Sequence, residues 1–278
     1  MTRRGNWAAG IACCFLLVLA AVTLGGQIRF ATGQDVAPVF EGWEQNPDGT
    51  YSMVFGYLNR NYEEEVDIPI GPNNTIEPSG DRGQPTHFYP RRQRFVFKVV
   101  VPKDWDKQQR LVWTLTSRGK TNQAKAWLQP EWELNDEVIA ENNGGGVIAA
   151  GNEAPSIRGS SAQTVTLPNA VTLTVTATDD GLPKRTLRPG ASTSVSDPNL
   201  LSNQDAARRE SGVQIKWIVY RGPGKVQFSP ATSGAAVYGQ PVTLTSKASF
   251  SAPGTYVLRA VANDGQLSST YDVTVTVK

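Results

Sequence analysis

Few residues in this chain can do chemistry, and their types restrict the reactions open to it. His87 is the only histidine, which excludes a two- or three-histidine metal site and obliges any Ser-His-Asp triad to use it. It lies in QPTHFYPRR, a proline-rich stretch with no G-x-S-x-G nearby, and reads as a polar loop residue. Cys13 and Cys14 are the only cysteines. The chain beyond residue 33 therefore has no thiolate nucleophile, disulfide or zinc ribbon. Carboxylates remain. Glycoside hydrolysis needs two of them facing each other roughly 5–9.5 Å apart. The candidates are Glu41, Glu44, Glu63, Glu64, Glu65, Glu131 and Glu133. Their spacing in sequence places no pair at that distance. The reading is non-enzymatic, with a carboxylate-dependent glycoside hydrolase as the remaining catalytic option.

Binding chemistry has more to draw on. Five of the seven tryptophans (Trp43, Trp105, Trp113, Trp127, Trp132) lie between Pro38 and Leu134. A planar ring exposed on a β surface can stack on a pyranose while the sugar hydroxyls bond at the rim. Trp127 and Trp132 are five residues apart and would point to opposite faces of a regular strand, one into the core and one outward. Tyr89, Arg91 and Arg92 form an aromatic and basic candidate, with Asp81 and Glu63–Glu65 near enough in sequence to neutralise it. Asp179, Asp180, Asn263, Asp264 and Asp272 offer oxygens suited to calcium, which takes six to eight. Asp-Asp-Gly and Asn-Asp-Gly are first of all turn formers, so no metal and no cofactor are expected, with calcium at Asp179, Asp180 and Asp264 as the alternative.

The elements that must position these residues are strands. Phe40–Trp43 and Thr50–Asn59 flank the turn signal Asn46-Pro47-Asp48-Gly49 and predict a hairpin. Phe95, Phe97, Val99 and Val101 alternate along one face, as do Leu111, Trp113 and Leu115 in the next run. Ala124–Leu134 reads as a further strand, with Pro130 marking a bulge or an edge. No helical periodicity appears, and Asn142–Gly151 (NNGGGVIAAG) reads as a linker or flexible boundary. Beyond it, Val171, Leu173, Val175 and Ala177 face inward opposite a row of threonines. Ile215, Trp217 and Val219, then Tyr256, Leu258, Ala260 and Ala262, and finally Tyr271, Val273, Val275 and Val277 repeat the pattern. Such short alternating strands separated by turn signals predict a β-sandwich.

Before these, Arg3 and Arg4 precede an uncharged apolar run from Trp7 to Leu24, and Ala31-Thr32-Gly33 supplies small residues suited to signal peptidase. The expectation is a signal peptide over residues 1–33, cleaved after Gly33 or nearby; an uncleaved anchor is the other reading. Loss of Arg3, Arg4 and Arg29 turns the net charge of +2 to about −1, which gives no support to nucleic-acid binding.

Asn152-Glu153-Ala154-Pro155, ATDDGLP (177–183), W-x-V-Y-R-G-P-G (217–224) and FSAPGTYVLRAVANDGQLSS (250–269) together resemble a PKD-type immunoglobulin-like domain of bacterial exported proteins over residues 152–278. The resemblance implies that Trp217 fills the sandwich centre and that the Tyr256 hydroxyl bonds upstream backbone at a corner. It departs from the family at 184–211, where a polar insert replaces a short connection; Asp197–Arg209 within it could form one short helix. EGWEQNPDGTYSMVFGYLNRN and GQPTHFYPRRQRFVFKVVVPKDW resemble the first domain of uncharacterised exported bacterial proteins, which implies a layout and no activity.

The reading is an all-β protein of two β-sandwich-like domains after a signal peptide: an aromatic-rich domain at 38–141, a linker at 142–151 and a PKD-type domain at 152–278. It is expected in the periplasm, at the cell surface or secreted. The expected function is that of a non-catalytic interaction or structural module, with carbohydrate binding as the alternative. The expected partner is an envelope or surface protein, or a polysaccharide, and not nucleic acid. Membrane contact is expected only through an uncleaved signal.

Overall fold

The computed structural model describes residues 30–184, 212–234 and 237–278. The apolar N-terminal run and almost all of the insert, including Asp197–Arg209, lie outside them. Among the described residues the protein is mostly β, with immunoglobulin-like sandwich architecture and one short α-helix.

In the first module, β1 (Val36–Gln45) and β2 (Tyr51–Asn59) form the expected hairpin, and β6 (Arg91–Val101) adds to β2 on its other side. The short strands β3 (Val66–Asp67) and β5 (His87–Phe88) pair with each other. A second three-stranded sheet has the order β4 (Asn74–Glu77), β7 (Leu111–Ser117), β8 (Lys120–Ala126). The alternation sends Phe40, Met53, Phe55 and Tyr57 into the same core as Phe97, Val99, Leu111, Trp113 and Leu115. Phe95 breaks the predicted stripe. It sits at a register shift of β6 with φ 51° and is only half-buried.

Strand β8 ends at Ala126, earlier than the sequence suggests. Pro130 opens a single 3-10 turn, Pro130–Trp132, instead of marking a bulge, because proline suits the first position of a helical turn and cannot join a ladder. The helix α1 (Asp136–Asn142) follows, capped by the Asn135 side chain accepting from Val138 N at 2.9 Å. Seven residues are too few to display a helical period, which is why the hydrophobic pattern does not reveal it.

The second module is two facing four-stranded sheets. One has the order β13 (Val226–Ser229), β14 (Val242–Phe250), β11 (Val171–Thr178), β9 (Ser156–Gly159). The other has the order β10 (Gln163–Val165), β16 (Ser268–Val277), β15 (Gly254–Asn263), β12 (Gln214–Arg221). The chain enters in one sheet and crosses to the other, where β10 runs parallel to β16. Leu173, Val175, Trp217, Leu258 and Val273 fill the space between the sheets. The threonines of β11 face outward, and Thr174 and Thr176 bond across to the hydroxyls of Thr245 and Thr243 at 3.1 and 2.9 Å.

The two cores are joined side to side by β12. Tyr220, a residue of the second sandwich, is buried in the hydrophobic cluster of the first. Thr86 N donates to Tyr220 O at 3.1 Å, and Gly222 N donates to Thr86 Oγ1 at 3.1 Å. Arg221 donates from Nε to Gln84 O at 2.7 Å and makes a bidentate pair with Asp81 at 2.7 and 3.1 Å. Arg259 lies over the Tyr220 ring at 3.6 Å, donates to Val96 O at 2.9 Å and forks onto Asp272. The glycine-rich stretch read as a flexible boundary is held as well. Gln266 donates to Val147 O at 2.6 Å and accepts from Ala149 N at 2.8 Å.

Candidate binding surface

The turn Pro130–Trp132 folds back onto β1 at a bulge between Phe40 and Gly42. Trp43 O accepts from Leu134 N at 2.8 Å, and Trp43 Nε1 donates to Gln129 O at 2.7 Å. Gly42, at φ 139°, permits this approach, since a Cβ there would stand 2.4 Å from Trp132 O. Trp132 is 41% exposed. It stacks face to face on Phe40, with centroids 5.3 Å apart and planes 2° from parallel. Trp127 also stacks on Phe40, at 6.4 Å and 26°, and Arg110 lies 5.0 Å from the Trp127 ring. The opposite-face expectation for Trp127 and Trp132 does not apply, because the strand ends at Ala126, before both of them, and no two-residue period runs from one to the other. Glu131 and Glu133 flank the exposed ring and are themselves exposed. Phe40 and Arg110 are the members that sequence reasoning missed, because nothing local to them signals the turn that covers them.

Tyr89, Arg91 and Arg92 do not join this surface. The Tyr89 hydroxyl accepts from Val219 N at 2.9 Å in the contact between modules, and burial raises its pKa. Arg91 lies over the Tyr62 ring at 3.6 Å. Arg92 pairs with Glu41 at 2.7 Å, a carboxyl that burial raises despite that charge.

His87 is not a solvated loop residue. It lies in β5 beside its cross-strand partner Asp67, with its side chain only 4% exposed. Nδ1 stands 2.7 Å from Asp67 Oδ1, and Nε2 stands 3.2 Å from Glu65 Oε2 without the alignment of a hydrogen bond. Burial works to lower the imidazole pKa, but the two carboxylates outweigh it and raise the pKa to about 9. Glu65 is held below its ordinary value by His87 in return. An open cleft of about 360 Å³ lies alongside, lined by Glu64, Glu65, Asp67, Asn73 and Arg118 among others; Arg118 pairs with Glu64.

In the second module Trp217 is buried and stacks on Phe228 at 6.1 Å, and the Tyr256 hydroxyl donates to Ala252 O at 2.7 Å. Asp179, Asp180 and Asp264 sit in turns at one end of the sandwich. Asp179 Oδ2 accepts from Gly181 N at 3.0 Å, Asp180 Oδ1 from Leu182 N at 2.7 Å, and Asp264 Oδ1 from Gln266 N at 2.6 Å. Among the described residues, no three His, Cys, Asp or Glu side chains are grouped so as to hold a metal by themselves.

No protein-family model matches the chain, and no curated protein matches it in sequence. Among solved structures, domains 4 and 5 of the S-layer protein SbsC are similar at 10% identity over 61% of this chain and 65% of that one, with a TM-score of 0.25. The N-terminal eight immunoglobulin domains of Down Syndrome Cell Adhesion Molecule are similar at 10% identity over 87% of this chain and 24% of that one, with a TM-score of 0.27. A protein of unknown function from Porphyromonas gingivalis W83 is similar at 8% identity over 87% of this chain and 98% of that one, with a TM-score of 0.25. The chain thus spans less than two thirds of the first two. Superpositions this loose carry no argument about function, and the fold class rests on the strand order itself.

Proposed function

We propose that this protein is an exported, non-catalytic interaction or structural module, with its second sandwich of the PKD type, and that it meets its partner through the Pro130–Glu133 turn. The observation that carries the reading is the contrast between Trp132 and the polar side chains. Trp132 is a flat exposed ring with a parallel ring behind it. His87, Glu41, Glu64 and Glu65, the groups best suited to acid–base work, all lie in ion pairs within the protein. An exposed tryptophan on a rigid backing is a common energetic centre of a contact, because little side-chain entropy remains to be lost on binding. The partner class is an envelope or surface protein.

Carbohydrate is the second reading, and the near-parallel Trp132–Phe40 stack favours it, since a pyranose ring adds to the outer face of such a stack. The test is capture of envelope proteins and, separately, a glycan array, each with wild type and Trp132→Ala. Loss of protein capture in the variant, with an unchanged melting temperature, supports the first reading. Loss of a specific glycan signal transfers the site to sugar. Capture that is equal for wild type and variant removes the turn from the contact.

A further inference from the structure

Two irregularities of the first module lie on either side of one residue. In β1 the pairs Phe40–Phe55 and Gly42–Val54 leave Glu41 without a cross-strand partner. In β6 the pairs Phe97–Phe55 and Gln93–Tyr57 set Arg94, Phe95 and Val96 against the single residue Gly56, and Phe95 takes φ 51° there. Glu41 spans both. Its side chain, only 8% exposed, crosses Gly56 of β2 to reach Arg92 of β6. A Cβ on Gly56 would stand 2.1 Å from Glu41 Oε1 and 2.4 Å from Gln93 O, so the carboxylate fills the room that a missing side chain leaves. Arg92 Nη2 lies 2.7 Å from both carboxylate oxygens and is aligned to donate only to Oε2. Nη1 donates to Gln93 O at 3.0 Å and to Tyr57 O at 3.2 Å.

The extra residue changes the phase of β1. Val36 and Phe40 face the core before it and Trp43 does after it, although an odd number of positions separates Phe40 from Trp43. Without the bulge, Phe40 opposite Phe55 would set Gly42 opposite Met53 and Trp43 opposite Ser52, with the indole turned to the outer face. Gly42 would lose its positive φ, and the seat of the Pro130–Trp132 turn would go with it. Some contact must hold the bulged register against the regular one. The ion pair is a poor source of stability, since burial raises the Glu41 pKa even though Arg92, Arg94 and the Phe95 N–H oppose it. An apolar pair of the same volume in such a place is often neutral or stabilising. What an enclosed ion pair supplies is direction, because it forms in one register only.

We infer that Glu41 is a positioning residue for the binding surface: its ion pair with Arg92 across Gly56 locks the β1 bulge and thereby keeps Phe40 beneath Trp132. Glu41 acts from the outer face of the sheet, where Gly56 points, while Phe40 lies on the core side. Its bearing on binding rests on the Pro130–Glu133 turn being the contact; the lock on register does not.

The test uses the full chain labelled with 5-fluorotryptophan, so that each of the seven tryptophans carries a fluorine probe. Trp43→Phe and Trp132→Phe identify the two resonances of interest. Glu41→Met combined with Arg92→Met is expected to melt within about 3 °C of wild type, or above it. The Trp43 and Trp132 resonances are expected to move or double, and that of Trp217, in the second core, to stay. A pair that merely stabilised the sheet would do the reverse, with lower melting and unmoved resonances. Glu41→Gln has nearly the same shape without the charge; it is expected to move the same two resonances and decides the matter if the double variant does not fold. Unmoved Trp43 and Trp132 resonances in the folded variants overturn the lock. So does a shift that includes Trp217, which marks general loss of structure. Trp132→Ala tests the surface separately: unchanged capture by that variant removes the turn from the contact and leaves the register result standing.

Discussion

Burial and charge pull His87 in opposite directions, and charge wins. An imidazole this enclosed would ordinarily be neutral, yet Asp67 and Glu65 hold its pKa near 9. Its folded pKa lies above the unfolded value of 6.5, so the protonated clamp contributes in full below about pH 6.5. The contribution is lost as pH rises through about 9. Glu65 works the other way, since its folded pKa is depressed; its contribution is present above the usual glutamate range and lost as the solution is acidified through the folded value. Both carboxylates are 43% exposed, and solvent screening reduces the effect. Urea midpoints measured from pH 6 to 9.5 are expected to fall by the equivalent of about 1–3 kcal/mol, and His87→Gln to flatten that slope while lowering stability at pH 6. A wild-type curve level across this range would refute the clamp.

At the scale of elements, one bulge makes the binding surface. The extra residue in β1 lets Gly42 take φ 139°, and the 3-10 turn then lies across it. Gly42→Ala places a methyl group 2.4 Å from Trp132 O, against backbone that cannot swing aside as a side chain would. The expected cost is about 1–3 kcal/mol. Tryptophan fluorescence is expected to shift as Trp132 leaves Phe40, and partner or glycan capture is expected to drop with it. Gly49→Ala is a useful comparison, because it also strains a positive φ but meets only Lys103 Cβ at 3.9 Å. It should cost stability and leave capture intact. Equal loss of capture in both variants would detach the surface from the bulge.

At the scale of the whole molecule, Tyr220 and Arg221 decide whether two sandwiches behave as one body. The Tyr220 ring completes the first core, its hydroxyl donates to Gly83 O, and Arg221 makes a forked pair with Asp81. Calorimetry is expected to show a single cooperative transition for wild type. Tyr220→Ala combined with Arg221→Ala opens the contact, and the trace is expected to separate into two transitions, with the first module losing more because its core is cut. Two resolved transitions in wild type would contradict this coupling. Asp81 is held below its usual range chiefly by Arg221, so any acid-induced separation should begin at low pH.

Fold class follows from a local rule. Alternating side chains in β7, β11, β15 and β16 specify a strand with one buried face wherever the chain is placed, so an all-β sandwich was legible from the residues alone. Capping and turn chemistry were legible for the same reason, since Asp179 and Asp264 bond backbone two residues on. The stack of Trp132 on Phe40, the clamp on His87 and the hold of Gln266 on the connector join residues far apart in sequence. No local pattern encodes which distant partner arrives. Sequence alone determined which faces are apolar and where the chain turns, since both depend on adjacent residues. Tertiary structure decided which polar groups are buried and what they meet, because burial and hydrogen-bond satisfaction depend on the whole fold.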